Sequence, residues 1–146
     1  MKQTVKFKMT WYKILFIVLM LVACEAAKSQ NIATTSLVWQ VDELTDLSTN
    51  KTLPFQASFI TKAGQTVEWI QKKGEKNSSY TITATQGQWL NIAQAGMVTY
   101  MLQRNGVNWR MVLEKTPLAT FIYLDFSGGS EPVRQRFRVT NVEPAN

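Results

Sequence analysis

From Ser36 onward, apolar and polar residues alternate in short runs separated by turn residues, the two-residue period that sends successive side chains to opposite faces of a β-strand. Leu37, Trp39 and Val41 share one face of a first strand, with Gln40 and Asp42 on the other. Phe55, Ala57 and Phe59 repeat the pattern, and Ala63-Gly64 offers a tight turn into Val67 and Trp69. Tyr80, Ile82 and Ala84 oppose Thr81, Thr83 and Thr85, as suits a strand with one solvated face. Val98, Tyr100 and Leu102 lead to Asn105-Gly106, a pair that fits both left-handed positions of a type I′ turn, and Val107, Trp109, Met111 and Leu113 form the return strand. Pro117 ends that strand. Leu118 to Phe126 is apolar on both faces, which predicts a central strand or one covered on both sides. Beyond the loop Ser127-Gly128-Gly129-Ser130, Val133, Gln135, Phe137 and Val139 alternate with Arg134, Arg136, Arg138 and Thr140 in a last strand.

This amounts to about eight strands at the spacing of an all-β domain. Consecutive hairpins predict a single antiparallel up-and-down β-barrel, favoured over a two-sheet β-sandwich because closure leaves no exposed edge. No segment after the leader carries a 3.6-residue stripe; Gly87 to Gly96 is the place for a short helical turn or a long loop. Trp69, Trp89 and Trp109 are evenly spaced, yet their neighbours share only the tryptophan, so the spacing reflects hairpin length rather than a repeat.

The beginning of the chain reads differently. Lys2, Lys6, Lys8 and Lys13 precede the apolar stretch Ile14 to Ala23, too short for a membrane-crossing helix and followed by small polar residues, the pattern of a removed signal peptide. Leu21-Val22-Ala23-Cys24 resembles the lipobox of bacterial lipoproteins, which implies cleavage before Cys24 and acylation of its thiol. Ala27-Lys28-Ser29 instead suits the ordinary signal peptidase and a chain starting at Gln30. The expected organisation is therefore a signal over 1–23 (or to 29), a polar tether over 24–36 and a β domain over 37–146. Localisation follows: secreted, or anchored in the cell envelope, the bacterial periplasm or outer membrane being favoured, with membrane attachment through Cys24 if it is acylated.

Charge changes meaning once the leader is set apart. The whole chain carries +6 and a pI near 9.6, but four of its sixteen basic residues and none of its ten acidic ones precede Cys24, leaving +2. The basicity that would suggest nucleic acid belongs largely to the leader, so no nucleic-acid partner is expected. Cys24 is the only cysteine, so no internal disulfide forms.

The chain contains no histidine. Ser-His-Asp and Cys-His arrangements are excluded, as are His/Cys zinc sites. The carboxylates Asp42, Glu43 and Asp46 fall after the first strand as loop residues, Glu68 and Glu114 fit as solvent-face partners of basic residues, and Asp125 to Glu131 matches no calcium-loop spacing. No catalytic residue, metal or cofactor is expected, and the protein reads as a non-enzyme. Arg134, Arg136 and Arg138 make a basic stripe, suited to anionic groups or to protecting a strand face.

An eight-stranded barrel with a tryptophan, Trp39, in its first strand and arginines, Arg134, Arg136 and Arg138, in its last looks like the calycin group, in particular the small lipocalin-like domains of bacterial envelope proteins. The resemblance implies that one of these arginines packs over Trp39 and that the barrel carries a small apolar or amphipathic ligand. Trp39, Phe59, Trp69, Trp109 and Phe137 are the expected lining, with Trp89 capping the mouth or stacking on the ligand. The alternative is a filled barrel serving as an envelope protein-interaction or inhibitor module through the loops Gly87 to Gly96 and Phe126 to Glu131.

Overall fold

Alternation of this kind can bury one face of every strand only if the sheet curls around that face. In the computed structural model, which describes residues 31–126 and 132–146, eight strands do so as a closed antiparallel barrel in simple sequential order. They are β1 (Leu37–Asp46), β2 (Lys51–Lys62), β3 (Thr66–Gln71), β4 (Lys76–Gln86), β5 (Gly96–Arg104), β6 (Val107–Lys115), β7 (Thr120–Phe126) and β8 (Val133–Pro144), with β8 pairing back onto β1. The barrel is favoured over the sandwich because no strand edge is left unpaired. Asn105 and Gly106 both take positive φ and join β5 to β6 with Arg104 opposite Val107, as a type I′ turn requires. The segment from Gly87 to Gly96 forms a long loop with one hydrogen-bonded turn, in which the Gln94 N–H donates to the Asn91 carbonyl (3.0 Å).

Three departures from strict alternation set which side chains point in, one of them at Thr140 of β8, where the inward side passes from Val139 to Val142. In β1 the register slips between Val41 and Glu43 on both its neighbours, so Asp42 is a bulged residue and the inward parity moves by one. Leu44, rather than Glu43 or Thr45, then faces inward opposite Leu53 and Phe137. The strand thus continues through Asp42, Glu43 and Asp46, which are strand residues and not the loop residues their polarity suggested. Pro54, which has no N–H to give a ladder, sits in β2 opposite Glu43 at this irregularity. A second slip between Ile82 and Ala84 in β4 leaves Ala84 exposed and Ile82 half-buried.

The core is one contiguous cluster inside the barrel. Trp39, Val98, Tyr100, Met111, Leu113, Ile122 and Phe137 are all 0% exposed, so no void large enough for a water touches them. The two ends of the barrel differ. At the end where β1 begins, Ile32 and Trp89 are folded over the opening: the Ile32 N–H donates to the Trp89 carbonyl (2.9 Å) and the Tyr100 hydroxyl to the Ile32 carbonyl (3.4 Å). At the other end the described connections are turns, and most inward side chains next to them are half-buried or exposed, Ser78 being buried beneath Arg104, which donates to its hydroxyl (2.7 Å).

Candidate functional site

The end closed by Ile32 and Trp89 is sealed by side chains that satisfy one another. The Trp89 indole N–H donates to the carbonyls of Asn91 (2.8 Å) and Gln94 (3.1 Å), and its ring lies 5.8 Å from that of Trp39. The Trp39 N–H donates to the Thr61 hydroxyl (3.2 Å). Burial without a charge partner raises the Tyr100 phenol to about 12. Trp89 therefore caps a barrel mouth, one of the two roles its sequence position allowed.

At the opposite end the side chains are less well covered. Phe55, Trp69, Trp109 and Phe126 are half-buried, and Leu53 and Val133 are 45% and 39% exposed. The rings are ordered by their strand register: Trp109 pairs with Phe126 across β6 and β7 and stacks on it at 4.5 Å, while Tyr80 meets Trp109 edge-on at 5.7 Å. On the other wall, Trp69 stacks on Phe59 at 5.3 Å and meets Phe137 at 5.6 Å. The Trp69 indole nitrogen is buried and has no hydrogen-bond partner among the described residues. A buried donor left unpaired costs about 1–3 kcal/mol, and among the described residues no other buried side-chain group is left so.

Of the six expected lining residues, Trp39, Phe59, Phe137 and Trp89 thus lie in the close-packed interior and its cap, and Trp69 and Trp109 lie at the less covered end. Phe126, Phe55 and Leu53 join those two. Leu53 continues the alternation of Phe55, Ala57 and Phe59 along β2, while Phe126 belongs to a strand whose two apolar faces leave its inward side unmarked in the sequence. Cys24 and the loop residues Ser127 to Glu131 lie outside the described residues.

Grooves open on the outside among the described residues. One, of about 320 Å3, runs along β1 and β2 between Gln40, Asp42, Gln56, Ser58, Ile70 and Lys73. Its polar groups are largely engaged: Ser58 donates to Gln40 (2.7 Å), and Asp42 is held by Arg138. The other, of about 330 Å3, lies on the outer face across β5 to β8, where Met101, Asn108, Arg110, Asp125 and Arg134 line it and Trp109, Phe126 and Pro132 border it. It reaches the lower end of the size range of small-molecule sites.

The three arginines of β8 point outward, so none packs over Trp39, whose ring partner is Trp89. They differ in how far they are satisfied. Arg138 holds Asp42 through two hydrogen bonds, Nε to Oδ1 at 3.0 Å and Nη2 to Oδ2 at 2.8 Å, with Glu43 3.6 Å away; this keeps the Asp42 carboxyl below its ordinary range and raises Arg138. Arg136 lies over the Phe121 ring at 5.0 Å and donates to Thr45 (3.3 Å). Phe121 and Tyr123, the outer side of the strand expected to be covered twice, are only half-buried. Among the described residues no group of acidic, cysteine or histidine side chains could hold a metal ion.

No protein-family model matches the chain, and no curated protein or solved structure matches it.

Proposed function

We propose that the protein is a non-enzymatic, exported or lipid-anchored small β-barrel that binds an apolar or amphipathic small ligand at its less covered end. The observation that carries this reading is the buried Trp69 indole N–H without an acceptor, in a ring of half-buried aromatic side chains. A ligand seated among Trp69, Trp109, Phe126 and Leu53 would cover apolar surface, at about 25 cal/mol per Å2, and an acceptor it carried would satisfy that donor once the rings covering the indole nitrogen move aside. The packed interior argues for binding at the mouth rather than in the depth of the barrel.

The test uses N-phenyl-1-naphthylamine, an uncharged aromatic dye whose emission rises in apolar surroundings. The dye should bind saturably, quench tryptophan emission, and lose affinity by about tenfold in Trp109→Leu, a loss of the size expected for one well-packed aromatic contact. Unsaturable, linear uptake would show surface partitioning and overturn the reading.

A second reading is favoured by the filled interior alone: an envelope interaction or inhibitor module, with a protein partner and no ligand. A native mass spectrum of the protein extracted from its own envelope separates the two. Removable extra small-molecule mass supports the ligand, and a stoichiometric protein partner with no such mass supports the module. The same spectrum tests the leader: a chain starting at Cys24 with added acyl mass is the lipid-anchored form, and one starting at Gln30 the secreted form.

A further inference from the structure

Each of the chain's five arginines lies on a described strand, and the register sorts them by side. Arg110, Arg134, Arg136 and Arg138 alternate with inward residues and face outward. Arg110 and Arg134 meet Asp125, Arg138 meets Asp42 and Glu43, and Arg136 is held by the Thr45 hydroxyl and the Phe121 ring. Arg104 is different. It follows Tyr100 and Leu102 on the inward side of β5, at the less covered end of the barrel. Its guanidinium lies over the Tyr80 ring (5.6 Å) and donates through Nη1 to the Ser78 hydroxyl (2.7 Å), and it makes no ion pair among the described residues.

This cation stands at the aromatic mouth. Tyr80 meets Trp109, which stacks on Phe126, and Ser78 lies directly opposite Trp69, whose buried N–H has no acceptor. Ser78, 6% exposed, accepts from Arg104 and donates to no group among the described residues. The serine O–H and the other guanidinium N–H groups are thus donors without acceptors on one side of one opening. Lys51 and Lys76 stand on the same inward side at the ends of β2 and β4, also without ion pairs among the described residues. Asp46, the strand carboxylate on that side, accepts the Ser48 and Thr49 N–H groups (2.8 and 3.1 Å). Cations therefore outnumber carboxylates around the mouth, a field that draws anions toward it.

Resting on the ligand reading above, we propose that Arg104, with the Ser78 hydroxyl, binds the anionic oxygen head of a single-chain amphiphile whose apolar body lies along Trp109 and Phe126. A guanidinium holds such a head through paired N–H donors, and the exposed position of Arg104 lets the head arrive and leave without burying an unmatched charge.

The experiment measures displacement of N-phenyl-1-naphthylamine from the full folded protein by decanoate and by decanol, which share a chain and differ in the head. Arg104→Gln should weaken decanoate about fivefold and leave decanol and the dye unchanged, the size of a charge-assisted contact at an exposed site, and high salt should weaken decanoate in the parent protein alone. Saturable dye binding by the variant shows that it is folded. Arg110→Gln, on the outer face of the next strand, should leave decanoate unchanged. Co-sedimentation with phosphatidylglycerol vesicles that is lost in Arg104→Gln would assign the head to a lipid surface, and displacement by decanoate without co-sedimentation to a free amphiphile. An Arg104→Gln protein that binds decanoate as the parent does, or an equal loss in Arg110→Gln, overturns the anion site while the ligand reading stands. If the dye does not saturate in the parent protein, the ligand reading fails and the anion site with it.

Discussion

Gly96 and Gly106 are needed for opposite reasons. Gly106 has φ +76° and open space around its α-carbon, so a methyl group there meets only the left-handed backbone. Gly106→Ala should cost about 1 kcal/mol, seen as a small drop in the denaturant midpoint with an unchanged emission spectrum. Gly96 has an ordinary backbone, but a Cβ added to it would lie 2.2 Å from the Trp89 ring. Gly96→Ala should therefore dislodge the cap, costing about 1–3 kcal/mol and shifting tryptophan emission to the red. Asn105-Gly106 announced itself as a turn because local conformation is written locally. Gly96 gave no such signal, since its constraint comes from a ring seven residues away.

Tyr100 adds a test in alkali. Its phenol is raised to about 12 by burial, whereas the unfolded chain ionises near 10. The stability this contributes is whole below pH 10 and is lost as pH rises toward 12, because the unfolded state releases the proton first. Ultraviolet difference spectra of the folded protein should show one tyrosine that does not ionise until unfolding begins, and Tyr100→Phe should flatten the alkaline slope.

Among the strands, β5 and β6 were legible almost residue by residue, because one alternation runs their whole length, and β8 as far as Val139, beyond which its register against β1 slips. β1 was not. Reading its alternation through Val41 points Glu43 and Thr45 inward, and only the bulge at Asp42 restores an apolar residue, Leu44, to the core. A bulge that also lies opposite Pro54 has no signature in either strand taken alone. Its charge chemistry is testable. With the Asp42 carboxyl held below its ordinary 3.8 by Arg138, this pair stabilises the fold above that value and ceases to do so as pH falls through the lowered one. Stability measured from pH 5 downward should fall less steeply in Arg138→Gln than in the parent protein.

For the whole molecule, the difference between the two ends rests on the short segment that precedes β1. Ile32, 1% exposed, is held between the Trp89 carbonyl and the Tyr100 hydroxyl, and Asn31 caps its turn through Ala33 N–H. The sequence placed these residues in a polar tether; their burial depends on a cavity that exists only once eight strands have closed. Ile32→Ala should cost about 2–4 kcal/mol, measured by denaturant unfolding, if the cap is an integral part of the core. The aromatic content of the mouth was legible in the alternation of Trp69 and Trp109, whereas the position of Arg104 over Tyr80 and Ser78 depends on β4 and β5 meeting.

The seam between β1 and β8 joins the beginning of the barrel to its end: Leu37 lies opposite Pro144, and the Ala145 N–H donates to the Ser36 carbonyl (3.0 Å). Every other strand pair is a hairpin of neighbours that can form while the chain is still being made. This one must wait for the last residues, and loop closure over so long a separation is slow. A chain delivered from its N-terminus would thus hold β1 with one unpaired edge until β8 arrives. The slowest folding phase should respond to substitutions along β1 and β8 and be nearly indifferent to those in the Asn105-Gly106 hairpin.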